Sequence, residues 1–182
     1  MEKYINMNCF DDYQLQEIER GLEQSVNVEL YAKPEFDDSQ MKEIRFGLVN
    51  GIDAAVYAKP EFDWEQMLQI RLGLERNLDI SVYAKPEFDG DQMWEIREGI
   101  EAGVEFELYA KPVYEYQQMR EIRLGLEGQY DVSWYLDPEY DWSEMREIRY
   151  GLEDGVDVSA YAVHNSDWVE MREIRLDLLG EF

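Results

Sequence analysis

Apolar side chains recur along this chain at spacings of three and four. Met41, Ile44 and Leu48 form one such stripe, and it returns as Met67, Ile70 and Leu74 and onward to Met171, Ile174 and Leu178. That spacing lays an apolar seam along one face of a helix. Ahead of each stripe stands an acidic residue followed three positions later by Gln or Glu. The pairs are Asp11/Gln14, Asp37/Gln40, Asp63/Gln66, Asp89/Gln92, Asp141/Glu144 and Asp167/Glu170, with Glu115/Gln118 the weakest copy. In such a capping box the first side chain holds a free amide of the helix start and the second reaches back to the cap. Gly51, Gly103, Gly155 and Asn77 stand where the stripes end, and these residues readily take the left-handed conformation that closes a helix. The pattern predicts helices over 12–24, 38–50, 64–76, 90–102, 116–128, 142–154 and 168–180.

Between the stripes lies a shorter element, such as Leu78 to Ala84 ahead of Lys85-Pro86. Asp79, with Asp53, Glu105, Asp131 and Asp157 at the same place, suits the cap of a one-turn helix that the proline prevents from extending. The alternation of Val104, Phe106 and Leu108 also fits a short strand.

Leu15, Met41, Met67, Met93, Met119, Met145 and Met171 fall 26 residues apart, and seven such units account for all 182 residues. A fixed period of this length is the mark of a solenoid whose units bury their apolar faces against one another. The expected fold is an all-α solenoid forming one domain over 1–182, each repeat a long helix plus a one-turn helix; the alternative is an α/β solenoid with a short strand per repeat. Glycines inside the helices, Gly21, Gly47, Gly73, Gly99, Gly125 and Gly151, each cost about 1 kcal/mol relative to alanine. Close approach of the neighbouring repeat's helix is the expected compensation.

Charge changes the picture. Forty-two Asp and Glu against 17 Lys and Arg give −25, while 45% of residues are apolar, too many for a disordered acidic tail. Such a field repels nucleic acid and membrane surfaces and attracts basic proteins. Because the period is constant, positions form columns. Glu43, Glu95, Glu121, Glu147 and Glu173 lie about 200° around the helix from the Met position, opposite the apolar stripe. Glu61, Glu87 and Glu139, with Glu35, form a second column beside the helix starts. These columns are either solvated helix faces or rows of carboxylates imitating a phosphate backbone. Arg45, Arg71, Arg97, Arg123, Arg149 and Arg175 flank the stripe and read as a ladder of partly buried ion pairs, with a phosphate-binding ladder the alternative that the surrounding negative charge disfavours. Trp64, Trp142 and Trp168 open their helices. Whatever surface they keep after packing against neighbouring repeats would anchor a protein partner.

Catalytic chemistry finds no constellation. His164 and Cys9 are the only residues of their kinds, they are far apart in sequence, and no nucleophile, base and orienter assemble around them. Asp89-Gly90-Asp91 lacks the ligand spacing of a calcium loop. We therefore expect no enzyme, metal or cofactor. A lone cysteine, no signal-like start and no long apolar run suggest a cytoplasmic protein without a membrane span.

The repeat text, as in Tyr57-Ala58-Lys59-Pro60-Glu61-Phe62-Asp63, Gln66-Met67 and Ile70-Arg71-Leu72-Gly73-Leu74-Glu75, resembles proteins of phages and mobile elements in gut Firmicutes. Among these, length and acidity resemble type II-A anti-CRISPR proteins that inhibit Cas9. The resemblance implies a non-enzymatic inhibitor in the bacterial host cell whose acidic surface binds the cationic nucleic-acid regions of Cas9, or of its guide RNA complex, and blocks target recognition or cleavage. The positive channel of that nuclease suits a polyanion. Direct DNA binding is disfavoured by the charge. The alternatives are a repeat adaptor for another basic protein and a DNA-mimic blocker of restriction enzymes.

Overall fold

Helices begin wherever an acidic side chain holds the first free amides. The computed structural model describes residues 7–164 and 166–180, and among these residues seven α-helices follow one another. They are α1 (Asp12–Glu23), α2 (Asp38–Val49), α3 (Trp64–Glu75), α4 (Gly90–Ala102), α5 (Tyr116–Glu127), α6 (Trp142–Asp154) and α7 (Trp168–Leu179). Every boundary lies within a residue of the range read from the sequence. At Asp11, Asp37, Asp63 and Asp89 both bonds of the capping box form, at 2.7–2.9 Å. At the weakest copy, the Glu115 amide donates to Gln118 Oε1 at 2.8 Å.

The capping glutamine also ties its helix to the next repeat. Gln14 Nε2 donates to the Phe36 carbonyl and Gln40 Nε2 to that of Phe62, each at 2.6 Å and each 22 residues on. Gln66 repeats the bond to Phe88 at 2.5 Å and Gln118 to Tyr140 at 2.6 Å. Glutamate would serve as the cap's partner equally well, but its ionised carboxylate has no proton for the second bond.

The short element is a single 3-10 turn, and no strand occurs among the described residues. Val104, Phe106 and Leu108 belong to such a turn, in which the Tyr109 amide closes on the Phe106 carbonyl at 3.1 Å. Asp79, Asp131 and Asp157 cap their turns by accepting from the amide two residues on, whereas Glu105 makes no side-chain cap bond. The chain is an all-α repeat solenoid.

Each turn that follows a helix delivers a fully buried tyrosine to that helix. Tyr31, Tyr57 and Tyr109 donate to the carbonyls of Glu17, Glu43 and Glu95 at 3.0, 3.0 and 3.1 Å. The hydroxyl occupies the space a side chain would fill at the helical glycine: a Cβ on Gly21, Gly47 or Gly99 would stand 1.8–2.0 Å from it. This corrects the sequence expectation. The glycines make room for the tyrosine of the turn that follows their own helix, not for a neighbouring repeat's helix.

Helix ends close through left-handed residues, at Gly51, Asn77, Gly103 and Gly155 as expected, and also at Ser25 and Gln129. After each, the next amide returns to the helical glycine's carbonyl, as Ile52 does to Gly47 at 2.8 Å.

Contacts group the chain into two compact units, residues 1–93 and 94–182, with the boundary inside α4. In the first, α1 packs on α2 and α2 on α3; in the second, α5 packs on α6 and α6 on α7. Both cores have the same content. Met41, Ile44 and Tyr57 expose no surface in the first unit, nor do Met145, Ile148 and Tyr161 in the second.

Candidate functional site

A solitary helix would expose a residue opposite its apolar stripe, but a stacked helix is covered there by its neighbour. Glu43, Glu95, Glu121 and Glu147 are accordingly 5%, 0%, 6% and 3% exposed, which overturns their reading as a solvated row. Each carboxylate is gripped by the arginine 28 residues on. Arg71 Nε donates to Glu43 at 3.0 Å, Arg123 to Glu95 and Arg149 to Glu121 at 2.8 Å, and Arg175 to Glu147 at 3.1 Å. Arg45 makes the same bond to Glu17 at 2.8 Å. The arginine then turns its other edge to a carboxylate near a helix end, as Arg71 does to Glu75 at 2.6 Å and Arg175 to Asp154 at 2.7 Å. The ladder of ion pairs read from the arginine column is therefore present, and it consumes the glutamates proposed for contact. Replacing one of these glutamates by alanine, which removes the acceptor together with the charge, costs about 3–5 kcal/mol. Glu173, in α7, is exposed.

Electrostatics follow the burial. At Arg123, desolvation opposes the charge, but the bonds to Glu95 and Glu127 outweigh it and raise its pKa. For Glu95, desolvation exceeds the pull of Arg123 and raises the carboxyl above its ordinary range. Its Oε1 is buried without a hydrogen-bond partner.

Carboxylates that do face solvent lie at the edges of the repeats. Glu61, Glu87 and Glu139 are exposed, as is Glu35, and so are the turn caps Asp53, Asp79, Asp131 and Asp157. The Ser81, Ser133 and Ser159 hydroxyls donate to Asp79, Asp131 and Asp157 at 2.6 Å, and these bonds hold the three aspartates below the usual carboxylate range.

The tryptophans at the helix starts keep much of their surface: Trp64 is 43% exposed, Trp142 38% and Trp168 37%. In the second unit this face opens into a groove of about 490 Å³ between α5 and α6, lined by Tyr116, Arg120, Leu124, Trp142, Arg146 and Tyr150 among others. Arg146 lies over the Trp142 ring at 4.9 Å, and Arg149 over Tyr150 at 4.6 Å. Sequence reading found the tryptophans and passed over Arg120 and Arg146. Their signal was available: the position after the buried methionine is one where the repeats disagree.

His164 stacks on Tyr140 with ring centroids 4.3 Å apart and stands 3.6 Å from Asp137. Among the described residues no group of three or more His, Cys, Asp or Glu is arranged to hold a metal ion, and no helix is long and apolar enough to cross a membrane. Comparison of the chain with protein-family models, with curated proteins and with solved structures returned no match.

Proposed function

We propose that this chain is a non-enzymatic inhibitor that lays an acidic face onto the cationic nucleic-acid-binding surface of a Cas9-type nuclease, alone or loaded with guide RNA, and so blocks target recognition or cleavage. The observation that carries this reading is the division of the carboxylates into two populations. One is buried and neutralised by the arginine ladder; the other, including Glu61, Glu87 and Glu139, stays exposed at the repeat edges and carries the excess behind the net charge of −25. A scaffold whose repeats are bonded to one another in this way loses little freedom on docking. Its field speeds encounter with a basic surface. The Cas9 class itself comes from the sequence resemblance.

The test is competition. Purified protein is expected to bind guide-loaded Cas9, to compete with target DNA, and to lose binding as salt rises. Reversing Glu61, Glu87 and Glu139 to Lys is expected to weaken binding by roughly tenfold or more while leaving the fold intact, since these side chains are exposed and make no ion pair among the described residues. Binding that survives both high salt and this reversal excludes the acidic edge as the contact. The half-exposed Trp64, Trp142 and Trp168 favour a second reading, a repeat adaptor for another protein. Equal phage survival in hosts with and without Cas9 immunity would favour the adaptor.

A further inference from the structure

Two kinds of arginine occupy the second unit. Arg123, Arg149 and Arg175 are largely buried and paired. One position after the core methionines of α5, α6 and α7 stand Arg120 and Arg172, which are exposed, and Arg146, which is half-buried. Among the described residues Arg120 and Arg172 make no ion pair, although the chain carries 42 carboxylates. The nearest carboxylate oxygen to Arg146 is that of Glu147 at 3.9 Å, and its Nε is buried with no partner. The corresponding positions of α1, α2 and α3 hold Gln16, Lys42 and Leu68, so this is not a requirement of the repeat.

Aromatic and aliphatic side chains flank these arginines on the same helix face, at spacings of four. Tyr116 and Leu124 bracket Arg120, Trp142 and Tyr150 bracket Arg146, and Trp168 and Leu176 bracket Arg172. Trp, Tyr and Arg are the residues that dominate protein-interface energetics. Packing within the unit leaves a groove between α5 and α6 with room for an inserted side chain.

We propose that the outer face of α5, α6 and α7 is a docking surface for an acidic segment of a protein partner, its carboxylates meeting Arg120, Arg146 and Arg172 and an apolar side chain entering the groove beside Trp142. Charge complementarity selects the occupant. Two cations without an ion pair among the described residues, and a third that meets a single carboxylate at 3.9 Å, complement a segment of few, spaced carboxylates. A nucleic-acid strand carries a charge at every residue and meets repulsion from the exposed carboxylates on the remaining surface. The surface is separate from the acidic edge assigned above to a cationic partner, and this proposal does not depend on that assignment.

Tryptophan fluorescence of the full chain tests it. The probes are a short peptide alternating Glu with Phe, the same peptide with Gln for Glu, and single-stranded oligo(dT). The Glu peptide is expected to bind, the Gln peptide to bind roughly tenfold or more weakly, and oligo(dT) not to bind. The paired substitution Arg120→Gln and Arg172→Gln, at side chains without an internal ion pair, is expected to reduce Glu-peptide binding by a similar factor without changing the far-UV circular dichroism. Adding Arg146→Gln is expected to abolish it. Combined Glu61→Lys, Glu87→Lys and Glu139→Lys is expected to leave peptide binding intact, which separates this surface from the acidic edge. Absence of Glu-peptide binding, equal binding by the paired variant, or tighter binding of oligo(dT) through the same arginines overturns the proposal.

Discussion

Glu95 concentrates the conflict between charge and burial in this protein. No part of it is exposed, one carboxylate oxygen meets Arg123 at 2.8 Å, and the other has no partner. Its folded pKa is raised above the ordinary 4.5, mainly by desolvation. As the pH falls, the folded chain therefore takes up this proton before the unfolded chain does. Glu95 thus adds stability between its raised pKa and 4.5, and the gain is complete below that value. Asp79, Asp131 and Asp157 have the opposite sign. Their folded pKa values lie below 3.8, so their contribution is present above 3.8 and is lost as the pH falls through those lower values. Gln69 holds the same repeat position as Glu95, so an amide is compatible with the site. Glu95→Gln is expected to be more stable than the parent at neutral pH, with the difference vanishing toward pH 4.5. Urea unfolding at the two pH values checks this. A loss of stability at neutral pH would mean that the bond to Arg123 outweighs the cost of burying the charge.

Helix and turn are locked together by one contact, the tyrosine hydroxyl against the helical glycine. Alanine is the better helix former by about 1 kcal/mol, so Gly47→Ala would stabilise an isolated helix. Here its Cβ would meet the Tyr57 hydroxyl at 2.0 Å, and overpacking of that kind costs about 1–3 kcal/mol. Gly47→Ala is therefore expected to destabilise the protein, and adding Tyr57→Phe is expected to recover part of the loss. A double-mutant cycle should return a coupling of about 1–2 kcal/mol; additive effects would remove the hydroxyl as the reason for the glycine. This contact also marks the limit of what the sequence discloses. Helix limits were legible because caps and left-handed ends act over three or four residues, and the 3-10 turn was among the readings because Asp79 and its equivalents recur where a cap is needed. The tyrosine bond spans 14 residues, the glutamine bond 22 and the arginine bond 28. Periodicity identifies the columns these residues form but not which column the neighbouring helix covers. For that reason the glutamate column reads as exposed in the sequence although Glu43, Glu95, Glu121 and Glu147 are buried, while Glu61, Glu87 and Glu139, beside the helix starts, are exposed.

At the scale of the whole molecule, these fixed spacings mean that a repeat recognises its neighbour by register alone. Excising residues 38–63, one full period of 26, joins Asp37 to Trp64. Asp37 then caps α3 in place of Asp63, Gln66 still completes the box, and Arg71 comes to Glu17 where it formerly met Glu43. Every bond between repeats has a replacement partner of the same type. Nearest-neighbour stability predicts a shorter chain that keeps its helical signal per residue and unfolds cooperatively, at a temperature lowered by the loss of one repeat and one interface. Excising residues 42–66 instead joins Met41 to Met67 and leaves one additional residue inside the helix, behind the Asp37/Gln40 cap. That residue rotates everything after it by about 100° relative to the cap and turns Ile70 and Leu74 away from the core. The second deletion is expected to lose helical signal and cooperativity although it removes less of the chain. Circular dichroism during thermal unfolding distinguishes the two, and similar behaviour of both variants would show that apolar burial without register is enough to hold the repeats together.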